Sequence, residues 1–393
     1  MEILLISLVL LILYTYVGYG LIMFILQKLL PKKNRRPVNN IKQKVTLVIA
    51  AYNEEEIIEA KIKNTLELDY PPELLQVLFV TDGSSDKTNN ILMKYPQVRY
   101  SYLPERRGKI HAVNRIMETI NTPITVFSDA NVMLNKAAIK KLVYHFNQDH
   151  IGAVSGEKVV WSSKQDKASA AGEGFYWKYE SFLKNLDAQV NSLVGSAGEL
   201  FAIRTRLFDK VPENIIIEDF YLTMSIAMEG HKVAYEPEAI ALETASASIL
   251  EEEKRKVRIS AGGIQAIVKL VGLLNIFKYG LLSFQYISHR VLRWTLAPAA
   301  LPIIFGLNLL LVGSDKYWDL LFLAQVICYG LALFGYFLKD RPTRYKLFYI
   351  PFYFVFMNVS VMKGWLRYFK NSQTVVWEKS ARIQMEHELE MNQ

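Results

Sequence analysis

Val48-Ile49-Ala50-Ala51-Tyr52-Asn53-Glu54 and Val80-Thr81-Asp82-Gly83-Ser84-Ser85-Asp86 are two apolar runs that each end abruptly in polar side chains and a carboxylate. A short apolar run closed by such a cluster is how a buried parallel strand leaves its sheet. The first run extends back to Val45, and a charged helical stretch from Glu54 to Leu68 separates it from the second, which begins at Leu75. Helical patterns follow at Ser85 to Lys94, Lys109 to Ile120 and Lys136 to Phe146, alternating with strand patterns at Val98 to Tyr102 and Ile124 to Asp129. That alternation predicts an α/β domain, a parallel sheet with helices on both faces. Ligands of such sheets bind beyond the carboxyl ends of the strands, so the polar clusters there carry the candidate chemistry.

At the ends of the first two strands, a carboxylate followed by Gly83, Ser84 and Ser85 suits the base or ribose hydroxyls of a nucleotide; taken alone, each cluster reads more simply as a turn with a helix cap, Ser85 or Asp86. Arg106-Arg107-Gly108-Lys109 opens a helix, and cations beside exposed helix amides make a diphosphate site, or else a solvated basic turn. Phe127-Ser128-Asp129-Ala130-Asn131 offers hard oxygen ligands for Mg²⁺ or Mn²⁺, or is an ordinary strand exit. Glu218-Asp219 precedes a helical pattern, Phe220 to Met228, and is read either as a cap or as a general base.

The chain has 393 residues, 51% hydrophobic and 21% charged, with a net charge of +8. A disordered or fibrous protein is excluded by that apolar content. A mean hydropathy of +0.12 is too high for an ordinary soluble enzyme and too low for a transporter made mostly of membrane helices. No charge interrupts Ile3 to Leu26, long enough to span a bilayer. Tyr14, Tyr16 and Tyr19 suit an interfacial or packed face better than a cleaved signal. Lys28, Lys32, Lys33, Arg35 and Arg36 follow, so the amino terminus is expected outside and the domain in the cytoplasm. The expected organisation is a membrane helix over 1–30, a cytoplasmic domain over 40–258, an amphipathic interfacial segment over 259–288, two or three spans over 289–370 and a polar tail over 371–393. Trp294 to Gly313 and Leu320 to Leu338 are the clear later spans, and Leu347 to Met362 is read as a span or a re-entrant segment. The loop of Lys339, Arg341, Arg344 and Lys346 is expected inside. The single cysteine, Cys328, lies in an apolar run and forms no intrachain disulfide. The basic charge falls to the membrane flanks, and no nucleic-acid partner is expected.

The order of the motifs resembles that of the family 2 inverting glycosyltransferases of GT-A fold, and particularly their membrane-embedded branch of hyaluronan, cellulose, chitin and poly-N-acetylglucosamine synthases. The residues that carry the resemblance are Val48 to Glu54, Thr81 to Asp86, Arg107-Gly108-Lys109 with Asn114, Phe127 to Asn131, and Ile217-Glu218-Asp219. The resemblance implies a GT-A, Rossmann-like nucleotide-sugar domain. In it Tyr52, Glu54 and Asp82 hold the nucleoside, Lys109 and Arg258 meet the nucleotide diphosphate, and Asp129 with Asn131 faces a Mg²⁺ or Mn²⁺ ion. Catalysis falls to Glu218-Asp219, with Asp219 the base. It also implies transfer from a UDP-sugar to a glycan or lipid-linked acceptor in cell-surface polysaccharide synthesis, in contact with membrane lipids. The chain departs from the family at Thr81 and Asn131, where Asp is usual, and at Ile259, where the long-chain synthases place Trp after Arg258. Glu199, beside the Gly195-Ser196-Ala197-Gly198 loop, has no family counterpart. The missing Trp favours short or single additions, with Tyr176, Trp177 and Tyr179 as the available aromatic substitutes. The competing reading is a non-catalytic nucleotide-binding sensor or scaffold, and the presence of Asp82, Asp129 and Asp219 argues against it.

Overall fold

The computed structural model describes residues 1–30, 43–161, 168–339 and 346–370. Lys32, Lys33, Arg35 and Arg36, together with Arg341, Arg344 and the tail 371–393, lie outside the described residues. Val45–Ala51 (β1), Leu75–Asp82 (β2), Arg99–Leu103 (β3) and Ile124–Asp129 (β4) form parallel pairs in the order β3-β2-β1-β4. β1 is buried along its whole length: Val48 packs with Leu78 and Val80 on one face, while Leu47 and Ile49 pack with Val77 and Phe79 on the other. Burial on both faces is why β1, β4 and most of β2 read as continuous apolar runs, whereas β3 at the sheet edge is largely exposed. Register then builds the site. Ala51 pairs with Thr81 and Ala50 with Asp129, so the polar residues after each strand emerge along one edge.

The sheet continues past β4 through Leu200–Arg204 (β7), Ile151–Trp161 (β6), Lys232–Thr244 (β8) and Met133–Leu134 (β5), giving eight strands. β7 runs antiparallel to both β4 and β6, and β5 runs antiparallel to β8, so the sheet is mixed where alternation alone predicts a parallel one. The reversal has a consequence. Leu200 at the start of β7 pairs with Ser128 at the end of β4, which sets the Gly195–Glu199 loop beside Asp129.

Three described helices are long and apolar enough to cross a membrane: Glu2–Leu29, Lys316–Phe337 and Leu347–Phe369. A further pair, Leu281–Trp294 and Leu296–Leu309, is bent by 51° at Thr295. The span expected from Trp294 therefore begins at a bend, and the apolar stretch before it belongs to the same pair. The segment expected as amphipathic and interfacial over 259–288 is broken into the end of Ile249–Lys269, a short 3-10 turn, Ile276–Tyr279 and then Leu281 onward. The expected 258/259 boundary falls inside the helix Ile249–Lys269. Val268, Val271, Ile276 and Phe277 are exposed beside Lys269 and Lys278, an amphipathic surface. Cys328 is half-buried in Lys316–Phe337.

The first helix is bound to the later membrane-region helices and to the domain through its tyrosines. Tyr14 shares a hydrogen bond with Ser288 (2.7 Å), Tyr16 donates to Asn358 (2.7 Å), and the fully buried Tyr19 hydroxyl donates to Asp187. Asp187 also meets His289 Nδ1 at 2.6 Å, and Glu180 pairs with Arg290 at 2.7 Å and Arg293 at 3.4 Å. Carboxylates on the helix Ala168–Val190 thus face cations on the bent pair. A buried network in which both signs are present avoids the desolvation penalty of an isolated charge.

Candidate active site

The loops after β1 and β2 are sewn together. Asn53 takes a positive φ of 51°, and its Oδ1 accepts the Ser85 N–H at 2.8 Å while its own N–H donates to Ser84 Oγ at 3.2 Å. Asp86 accepts the Glu55 N–H at 3.0 Å and the Thr88 N–H at 2.9 Å, a turn just before the helix Thr88–Leu92, whose cap position is Lys87 rather than Ser85 or Asp86. Thr81 donates to Asn89 at 2.7 Å. Ser84, Ser85, Asp86 and Thr81 are accordingly structural, and they hold Tyr52 and Asp82 at the rim of a cleft that Arg106, Gly108 and Lys109 also line. Glu54 is buried and is not among the residues lining that cleft.

Asp82 Oδ2 accepts the backbone N–H groups of Arg107 (2.8 Å) and Gly108 (2.5 Å), which fixes the basic turn, while its other oxygen is buried without a hydrogen-bond partner. Gly83 and Gly108 have positive φ of 68° and 101°, and a side chain on Gly83 would strike Arg106 at 2.6 Å. The turn lays the Arg106 guanidinium over the Tyr52 ring, 3.9 Å from its centroid. Asn114, quoted with this motif, is spent elsewhere: its amide exchanges two hydrogen bonds with the Val211 backbone.

Lys109 is the hinge of the site. Its ammonium sits 2.7 Å from both Asp129 Oδ1 and Glu218 Oε1. Burial raises the Asp129 carboxyl above its ordinary value against the pull of Lys109, whereas at Glu218 the opposing pull of Lys109 outweighs burial and holds the carboxyl low. Asp219 differs from both. Burial first, then the neighbouring Glu218 charge, push it up to about 7, and it has no ion-pair partner among the described residues. Its backbone carbonyl is held by Ser196 Oγ (3.1 Å) and Thr223 Oγ1 (2.7 Å), and a side chain on Gly198 would come within 3.3 Å of its carboxyl carbon. Arg258 lies in the field of Glu218, Asp129 and Asp219 from the helix Ile249–Lys269.

Asn131 donates through Nδ2 to Glu243 at 3.2 Å, and its Oδ1 is buried without a partner. An acceptor left unpaired two residues from Asp129 fits a divalent cation, although among the described residues no three His, Cys, Asp or Glu side chains converge on one. Eight of the nine expected site residues therefore lie at strand ends, loops and helix starts along one edge of the sheet, with Glu54 set back from the cleft, and Arg258 comes from the middle of the helix Ile249–Lys269.

Sequence reasoning missed several supports. Lys61, inside the helix Ile58–Leu66, is fully buried and donates to Ser128 Oγ (2.9 Å) and the Val132 carbonyl (2.7 Å), bracing the exit of β4. Lys158 bridges Glu199 (2.6 Å) and Glu243. Nothing local distinguishes these lysines from solvated ones. Burial lowers Lys61 to about 7. From there to its ordinary 10.5 the unfolded chain keeps a proton that the folded chain has released, so stability rises with pH across this window. The thermal midpoint of the wild type should therefore climb relative to that of Lys61→Met between pH 7 and 9; parallel curves would contradict this.

The mixed sheet, with carboxylate-bearing loops along one edge and membrane-length helices attached, is a GT-A-like fold. Residues 42–262 match the family described as glycosyltransferase like family 2, and the chain belongs to that family. The poly-beta-1,6-N-acetyl-D-glucosamine synthase of Staphylococcus aureus (strain COL) is 25% identical over 250 residues, covering 60% of this chain and 59% of that protein. The enzyme of the same name from Staphylococcus epidermidis is 24% identical over 273 residues, 65% of this chain and 63% of its own length. The chain thus spans less than two thirds of these relatives. Among solved structures, the mannosyltransferase PcManGT from Pyrobaculum calidifontis, in complex with GDP-Man and Mn²⁺, superposes with a TM-score of 0.72 at 20% identity over 95% of this chain and 99% of that one. That likeness establishes the fold.

Proposed function

We propose that the chain is a membrane-bound inverting glycosyltransferase. It passes a sugar from a UDP-sugar to the end of a glycan or to a lipid-linked sugar, in the synthesis of cell-surface or extracellular polysaccharide. The observation that carries this reading is the division of labour among three clustered carboxylates: Asp129 and Glu218 share Lys109, while Asp219, without an ion-pair partner among the described residues, is pushed up to about 7. A base poised near the working pH is what proton transfer from a hydroxyl needs.

In this reading Tyr52 and Asp82 hold the nucleoside, with Arg106 stacked on Tyr52 and Glu54 buried behind them. The acceptor hydroxyl gives its proton to Asp219 as its oxygen bonds to the anomeric carbon from the face opposite the diphosphate. The bond from that carbon to the diphosphate oxygen breaks, and the electron pair leaves with the diphosphate. Lys109 and Arg258 stabilise the charge that develops there, at positions already set before reaction. Asp129 and the Asn131 amide oxygen would hold Mg²⁺ or Mn²⁺, which when bound adds positive charge to the diphosphate site. Glu218 keeps Lys109 in place and, through its own charge, keeps Asp219 basic.

The catalytic domain is assigned to the cytoplasm and the amino terminus to the outside, on the basic residues that follow the first helix. The exposed Val268, Val271, Ile276 and Phe277 lie in the membrane surface, with Lys269 and Lys278 at the headgroups. Ile259 leaves the acceptor without the aromatic face of the long-chain synthases, and the aromatic residues available to replace it are occupied. Tyr179 donates to the Tyr16 carbonyl, Tyr176 packs on Tyr353, and the Trp177 ring lies 5.0 Å from Lys158 and 5.3 Å from both Lys184 and Lys256. This supports short or single additions.

Incubation of membranes containing the chain with UDP- and GDP-sugars in turn, with nucleotide release and product size followed together, tests the assignment. Release of UDP matched by a short extension is expected. Long products appearing while most acceptor is unextended would overturn the preference for short additions, and no release from any donor would overturn the activity.

A further inference from the structure

The amide at position 131 faces a buried carboxylate. β5 pairs antiparallel with β8, Met133 opposite Leu242, and this register carries Glu243 to Asn131. Asn131 Nδ2 donates to Glu243 Oε1 at 3.2 Å. Glu243 is 1% exposed, and its other oxygen meets Lys158 and, at 3.6 Å, Arg255 Nη1. Lys158 is in turn held by Glu199 at 2.6 Å. With Nδ2 committed to Glu243, the amide plane is set, and Oδ1, buried and without a hydrogen-bond partner, is the atom left to face a ligand.

We infer that Glu243 is a positioning residue for the divalent cation: it orients Asn131 so that Oδ1, with the Asp129 carboxylate, forms the protein's share of the cation site. This rests on the reading of Asp129 as a metal ligand. It also accounts for the departure from Asp at this position. A carboxylate at 131 would stand against the Glu243 carboxylate at hydrogen-bond distance with no proton between them, whereas an amide gives Glu243 its N–H and keeps an oxygen for the cation. Glu199 and Lys158 belong to the same device, since Lys158 bridges Glu199 and Glu243 and holds Glu243 in place.

Mn²⁺ titrated into the solubilised full chain in the presence of UDP, and separately GDP, with free Mn²⁺ read by electron paramagnetic resonance, tests this without turnover. Glu243→Gln should weaken Mn²⁺ binding about tenfold, the lower end of what losing a group that orients a metal ligand costs. Asn131→Ala should lose as much, and the two together no more than either alone. The exchanged pair Asn131→Asp with Glu243→Gln restores one donor facing one acceptor and should bind Mn²⁺ at least as tightly as the wild type, which separates lost orientation from misfolding. Wild-type binding by Glu243→Gln, or an exchanged pair as weak as Glu243→Gln alone, would overturn the inference. Unchanged binding by Asp129→Ala would remove the cation from this site altogether, and the inference with it.

Discussion

Asp219→Asn should bind nucleotide-sugar as the wild type does and lower kcat by roughly 10² to 10⁴, the usual contribution of a positioned base. The amide keeps the shape of the side chain and removes its basicity. Because Asp219 must be deprotonated to act and titrates near 7, wild-type kcat should rise with pH below that value and level off above it. The residual rate of Asp219→Asn should lack this limb. Neighbouring carboxylates do not mimic the effect, since Lys109 is bound to Asp129 and Glu218 and the base stands apart. Loss of donor binding with normal transfer at saturation would make Asp219 a donor-site residue and contradict the assignment.

Asp129→Ala should abolish turnover even at saturating donor, and excess EDTA should do the same to the wild type, reversibly on addition of Mn²⁺. A leaving diphosphate without its cation loses several kcal/mol of charge stabilisation. Removing Asp129 also takes from Lys109 the ion pair that lies opposite Glu218. Asn131→Ala should be milder, because the amide contributes a neutral oxygen. Full activity in excess EDTA would contradict the role given to Asp129.

The first half of the domain was readable because its information is local. β1 and β4 run over Val45–Ala51 and Ile124–Asp129 as expected, and β2 and β3 differ by a residue at their ends. β1, β4 and most of β2 are buried on both faces, so apolar runs mark them directly, while β3 is an exposed edge strand. The second half hides its strands. β6 contains Gly152, Gly156, Glu157 and Lys158, and β8 contains Pro237 among charged residues. Their polar side chains are satisfied by partners distant in sequence, such as Lys158 by Glu199 and Glu243. The antiparallel entry of β7, which brings Gly198 against Asp219, has no local signal either.

The site divides in the same way. Asp82, Lys109, Asp129 and Asp219 stand at strand or helix ends, where position alone makes a polar residue conspicuous. Lys61 and Glu243 act from within regular elements, where a charged residue reads as solvated until packing buries it. Ser84, Ser85 and Asp86 show the converse: as conspicuous as the ligands, they turn out to hold the loops together.

The stereochemistry of the product tests the central claim most directly. A nucleotide-sugar with an α-linked anomeric carbon, ¹³C-labelled there and supplied to membranes containing the wild-type chain, should yield a glycosidic bond whose one-bond carbon–proton coupling in NMR is that of a β anomer. The signal should be absent with Asp219→Asn over the same interval. An α-linked product, or free sugar released with no bond to an acceptor, would contradict inversion by a hydroxyl that Asp219 deprotonates.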